Sequence, residues 1–106
     1  MSESVQQRTV VIRSPQGLHA RPAEMLARLA SSFESEIELV RDNHRVDAKS
    51  ILHVLTLGAV QGTELVVEAR GSDAAEAADA LANLVESDFS HEYSLSRGAS
   101  RTAEGK

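Results

Sequence analysis

The chain has 106 residues, of which 42% are hydrophobic, 25% charged and 3% aromatic, and its formal net charge is -5. That is one domain's worth of chain, since domains most often run to roughly 100–150 residues, and the composition is that of a globular protein, not of a disordered one. An isoelectric point near 5.3 and the near-absence of aromatic residues argue against nucleic acid as the partner, the lack of cysteine excludes a thiol nucleophile or thiolate metal site, and no apolar run approaches the roughly 20 residues of a membrane-spanning helix.

Residues 1–7 carry neither the basic nor the apolar stretch of a secretory signal, so a cytoplasmic location is expected. Arg8 to Arg13 is rich in β-branched residues and predicts a strand with Val10 and Ile12 on one face. Ser14-Pro15-Gln16-Gly17 breaks it. From Ala20 to Phe33 the apolar period becomes helical, with Leu26, Leu29, Ala30 and Phe33 on one stripe and Arg21, Glu24, Arg28 and Ser32 elsewhere. Pro22 falls in the first turn, where its missing N–H does no harm.

Glu36 to Arg41 alternates, with Ile37 and Leu39 inward, and Asp42-Asn43 is a turn pair that leads into a return strand from Arg45 to Ala48. Ser50 is placed as the N-cap of a short helix from Ile51 to about Leu57, closed by Gly58. Glu64 to Ala69 predicts a fourth strand with Leu65, Val67 and Ala69 on one side. Gly71-Ser72-Asp73 then punctuates and caps a last helix from Ala74 to about Asp88, with Ala74, Ala78, Leu81 and Val85 at core spacing. The order β-α-β-β-α-β-α favours an α+β fold, a four-stranded antiparallel sheet with three helices on one face. The expected division is a domain over residues 1–89 and a tail over residues 90–106. The tail has almost no apolar residue beyond Tyr93 and Leu95 and is read as disordered.

The stretch that carries chemistry is Gly17-Leu18-His19-Ala20-Arg21-Pro22-Ala23. It sets a histidine at a helix start, where free N–H groups and about half a positive elementary charge favour an anion. Arg21 adds a fixed charge and planar donors suited to phosphate. A histidine has an unperturbed pKa of about 6.5, and positive surroundings favour its neutral, nucleophilic form. Once phosphorylated, the same ring would have its dianion held by the same donors, with Gly17, Ala20 and Arg21 as the expected backbone contacts. Glu24, Glu34 and Glu36 read as a solvated helix face and turn. His44, His53 and His91 match no ligand spacing with His19, so no metal is expected.

This heptapeptide resembles the active-site motif of the HPr family, the histidine-containing phosphocarriers of the phosphoenolpyruvate-dependent phosphotransferase system. Ala48-Lys49-Ser50-Ile51-Leu52, followed by Leu57-Gly58 and Gln61-Gly62, resembles the family's second signature, and the resemblance spans about Val5 to Asp88. It implies an open-faced β-sandwich with the element order read above. It implies His19 as the phosphoryl acceptor through Nδ1, and Arg21 as the stabilising cation. Enzyme I would be the donor and an enzyme IIA domain the acceptor, with the chain acting as a relay and not as a turnover enzyme. Ser50 matches a serine that an HPr kinase modifies in many bacteria, and Ile51-Leu52 resembles the docking surface beside it. His53 is added as a candidate for that surface, and Leu18 and Leu55 as candidates for it or for the core. A monomer without bound cofactor is expected. The alternatives are a regulatory phosphoprotein of the nitrogen-related branch and a module that holds phosphate noncovalently.

Overall fold

A computed structural model describes residues 4–90. Strands β1 (Val5–Val11), β2 (Glu36–Arg41), β3 (His44–Asp47) and β4 (Glu64–Arg70) and helices α1 (Ala20–Ser31), α2 (Ile51–Leu55) and α3 (Ala74–Glu86) follow the expected order. The strands form one antiparallel sheet in the order β1-β4-β2-β3. Residues 91–106, where the tail was expected, lie outside the described residues.

One face of the sheet is apolar because each strand alternates. Val10, Ile37, Leu39, Val46, Leu65, Val67 and Ala69 all turn inward and are buried. The helices cover that face, with α3 lying across β1 and β4, α1 packing on α3 and α2, and α2 meeting β3. The stripe of α1 is rotated from the predicted one. Ala23, Leu26, Ala27 and Ala30 are buried, whereas Leu29 and Phe33 are only half-buried. Ala77 and Ala78 on α3 are fully buried as well, and such small side chains let helix backbones approach closely.

β1 starts three residues earlier than predicted. Val5, Gln6 and Gln7 pair with Arg70, Ala69 and Glu68, so β4 recruits a segment whose own alternation is weak. On the other side β1 is tied to α3. Arg8 Nε donates to Asp79 Oδ1 at 2.8 Å, Arg13 forks onto Glu86 Oε1 at 2.7 and 3.1 Å, and the Val11 N–H reaches Glu86 Oε2 at 3.3 Å. Asp73 is not the side-chain cap of α3 that was expected. Its carboxylate instead accepts from the Glu34 and Ser35 N–H groups, both at 2.9 Å, and from the Ser35 hydroxyl, thereby fixing the turn between α1 and β2. The Ser35 hydroxyl and the two N–H groups hold the Asp73 carboxyl below its usual range, against the opposing effect of burial.

The outward face of the sheet is polar, and its centre is Glu68, only 7% exposed. Glu68 stands opposite Glu38 in the β2–β4 register, an arrangement of like charges that destabilises a sheet unless bridged. Arg45 bridges it, donating to Glu38 at 2.8 Å and to Glu68 at 3.3 Å, while Gln7 and Arg70 donate to Glu68 at 3.1 and 3.0 Å. The carboxylate is roofed by long side chains at the surface and not sunk in the core. The Gln7 hydrogen bond and the two arginines hold its pKa below the usual 4.5, with burial opposing. A carboxyl whose pKa is depressed on folding stabilises the fold above its unfolded value, and that contribution is lost as pH falls through the folded value. Glu68→Gln is therefore expected to be less stable than the parent at pH 7, with the difference shrinking below pH 4.5. Urea midpoints taken from pH 7 down to about 3 measure this, and a difference independent of pH would reject it.

Candidate functional site

His19 is the N-cap of α1, with extended backbone (φ -88°, ψ -165°). Its side chain makes no capping bond, and the residue is exposed. The first intrahelical bond of α1 runs from the Ala23 N–H to the His19 carbonyl at 2.9 Å. The N–H groups of His19, Ala20 and Arg21 precede that bond, have no acceptor among the described residues and lie where the helix dipole is positive. Pro22 contributes no N–H, is buried and begins no bond that the helix needs. Arg21 is exposed, and among the described residues neither its guanidinium nor the His19 ring is engaged by another side chain.

Two sequence expectations change here. Gly17 does not offer its N–H to a phosphate, because that group donates to the Ser14 carbonyl at 2.9 Å. Gly17 serves instead by having no side chain. It has φ +75°, and a Cβ there would stand 2.6 Å from the Ala59 carbonyl oxygen and 3.0 Å from Val60 Cα. Leu18 is not part of an outward docking surface. It is 6% exposed and packs in the core, with its N–H bonded to the Ala59 carbonyl at 2.9 Å. The residues flanking His19 are thus seated against the loop that follows α2. Val60 in that loop is 62% exposed, an apolar side chain beside Gly17 with no periodic pattern of its own to mark it in the sequence.

Ser50 caps α2 as expected, its Oγ accepting the His53 N–H at 3.2 Å. Ile51 and Leu52 are 40% and 77% exposed, next to the capped start of α2, while Leu55 is half-buried against the core. His53 is exposed but has a structural tie, since its Nδ1 accepts the Asp47 N–H at 2.9 Å. A ring nitrogen that accepts carries no proton, so the neutral tautomer holds its proton on Nε2. At the other end of α2, the Thr56 hydroxyl donates to the His53 carbonyl at 2.6 Å, which leaves His44 Nε2, 3.2 Å away, to act as the donor to Thr56 Oγ1. Arg41 Nη1 donates to the Leu57 and Gly58 carbonyls at 2.7 and 3.0 Å. Lys49 is turned away from Ser50, with its ammonium on the Phe33 carbonyl at 2.8 Å. Among the described residues no three His, Asp or Glu side chains gather as a metal set, and His91 lies outside them.

The site is therefore an exposed imidazole on an uncapped helix start, with a guanidinium two residues on and an apolar pair on the neighbouring helix. Known proteins share this frame. The family model described as "PTS HPr component phosphorylation site" matches residues 6–87. The phosphocarrier protein HPr of Treponema pallidum is 41% identical over 85 residues, covering 80% of this chain and 97% of that protein. The phosphocarrier protein HPr of Cupriavidus necator is 41% identical over 83 residues, covering 78% of this chain and 93% of that one. A crystal structure of HPr-C-His from Thermoanaerobacter tengcongensis superposes with a TM-score of 0.76 at 43% identity, over 79% of this chain and 94% of that one. Fold and sequence together define a phosphocarrier component of the phosphotransferase system. The chain belongs to the HPr family.

Gly17 tests how the site is held. Gly17→Ala introduces both a disfavoured φ and a clash with backbone, and is expected to cost about 1–3 kcal/mol of stability. Equilibrium urea unfolding measures the loss, and an unchanged midpoint would show that the loop rearranges freely.

Proposed function

We propose that the chain accepts a phosphoryl group on His19 from phosphorylated enzyme I, ultimately from phosphoenolpyruvate, and passes it to an enzyme IIA-type domain. The observation that supports this most is the open start of α1, where the N–H groups of His19, Ala20 and Arg21 have no acceptor among the described residues and both the His19 ring, which caps nothing, and Arg21 are exposed. In the transfer, the Nδ1 lone pair attacks phosphorus. The bond from phosphorus to the donor's leaving group breaks, and its electron pair departs with the donor. The ring must present Nδ1 unprotonated, and the product carries a dianionic phosphate. The first-turn N–H groups and Arg21 stabilise that charge without needing to reorganise. The P–N bond formed is reactive, which suits onward transfer. In this reading the chain is a relay substrate in the cytoplasm, acting as a monomer, with catalysis supplied by its partners.

Ile51 and Leu52 form an exposed apolar patch of the kind that a partner covers. We place the shared docking surface for enzyme I and the IIA domain there. Ser50 lies at the edge of that patch, and we propose it as the target of an HPr kinase. A phosphate on Ser50 would sit at the N-terminus of α2, where charge is tolerated, so its effect falls on docking through charge and desolvation and not on the fold.

Incubation with enzyme I, phosphoenolpyruvate and Mg²⁺ is expected to add one phosphoryl group, acid-labile and base-stable, that His19→Ala lacks. Mass analysis reads it, and labelling that survives in His19→Ala would overturn the assignment. Arg21→Ala is expected to fold normally and to accept the group more slowly, by about tenfold if one charge-assisted contact to the phosphate is lost. An unchanged rate would remove Arg21 from the mechanism. Ser50→Ala is expected to lose about 1 kcal/mol with the cap. Phosphorylation of Ser50 by a matching kinase is expected to give an acid-stable adduct and to lower the rate of His19 labelling, and an undiminished rate would reject regulation through this serine.

A further inference from the structure

The ring of His19 reacts, but its position is set by residues that never touch a phosphate. Leu18, the residue before it, hangs by its N–H from the Ala59 carbonyl at 2.9 Å, and Gly17 rests against the same oxygen. Ala59 in turn follows Leu57 and Gly58, which lie just beyond the C-cap of α2 at Thr56. Backbone carbonyls outside a helix have no ladder donor and need another partner. The Arg41 Nη1 group supplies it, reaching Leu57 O at 2.7 Å and Gly58 O at 3.0 Å from the end of β2. His44, just across the hairpin, adds its bond to Thr56 one residue earlier. The tip of the β2–β3 hairpin thus grips the segment on which the His19 loop is seated.

We infer that Arg41 is a positioning residue for phosphoryl transfer, fixing the 57–59 segment and through it the placement of His19 at the open start of α1. The inference rests on the reading of His19 as the phosphoryl acceptor. Arg41 does not contact the phosphate in this scheme. Its effect is geometric, and small displacements of a reacting group lower the rate of a step more than they weaken docking. Both bonds leave from a single nitrogen, so a lysine ammonium, though one bond shorter, can restore part of them, whereas a methionine fills similar space and offers no donor.

Amide exchange and transfer kinetics on the wild type, Arg41→Met and Arg41→Lys test it. In Arg41→Met the Leu18 amide is expected to exchange about two- to tenfold faster, the factor set by one hydrogen bond, with the Val67 amide in the sheet centre unchanged. The turnover number of enzyme I with this variant as substrate is expected to fall while KM stays near the parent value, and Arg41→Lys is expected to recover part of both losses. Unchanged exchange at Leu18, equal acceleration at Val67, or a rise in KM alone would each overturn the positioning role. The last would make Arg41 a docking residue. The Leu18 exchange does not depend on any partner, and chemical labelling of His19 with phosphoramidate gives a phosphohistidine half-life without enzyme I. If wild-type protein fails to accept the group from enzyme I, the relay reading fails. Arg41 is then judged by Leu18 exchange and by that half-life, which Arg41→Met is expected to shorten and which an equal value would contradict.

Discussion

Everything distinctive about this molecule depends on keeping a helix start bare. The first-turn N–H groups of α1 are costly to leave unpaired, and most helices satisfy some of them with a side chain at the N-cap. Here the N-cap is a histidine that does not bend back, and Pro22 removes one donor outright. The donors that remain lie on an exposed stretch of chain, His19 to Arg21, where solvent can reach them. Bareness alone does not make a site, because an unpaired helix end frays. The seating of Gly17 and Leu18 on the Ala59 carbonyl, and the burial of Pro22 and Ala23, hold the end in place. The scaffold carries the rigidity that the capping bond would otherwise provide.

Much of this was visible in the one-dimensional pattern. The strands with strict alternation, Glu36–Arg41 and Glu64–Arg70, were found almost to the residue, since period two leaves one choice of face. The hairpin between β2 and β3 announced itself through Asp42, which adopts φ +54° as its residue type allows. The helix start at His19 and Ala20 was legible because Gly17 and Pro22 constrain the backbone on either side of it. What failed to show was whatever depends on distant partners. Asp73 reads as a local cap and instead reaches back 38 residues to Ser35. Leu18 reads equally as docking surface or as core, and it is the loop after α2, distant in sequence, that draws it inside. Glu68 sits in the outward register of an alternating strand, and although Arg70 two residues on shares its face, nothing in β4 tells that Gln7 and Arg45 close over it as well.

The two faces of the sheet solve opposite problems. The inner face is a continuous aliphatic layer with almost no aromatic residue, so close fit among Leu, Val, Ile and Ala does the work that larger rings do elsewhere. Among the described residues no second layer covers the outer face, and the paired Glu38 and Glu68 there are bridged by a shared arginine. This division leaves the helical side free to carry the chemistry, because no residue of the site is needed to complete the outer network.

The contact between Glu86 and β1 has a bearing on association. A strand at the margin of a sheet offers outward-pointing amides to any extended peptide that drifts alongside. Here the Val11 amide is already taken by a carboxylate from α3, and Arg13 holds that carboxylate in place. A stranger approaching this margin meets a filled donor and a pair of charges instead of a ready template, so encounters by strand addition are discouraged along the end of β1 nearest the histidine loop.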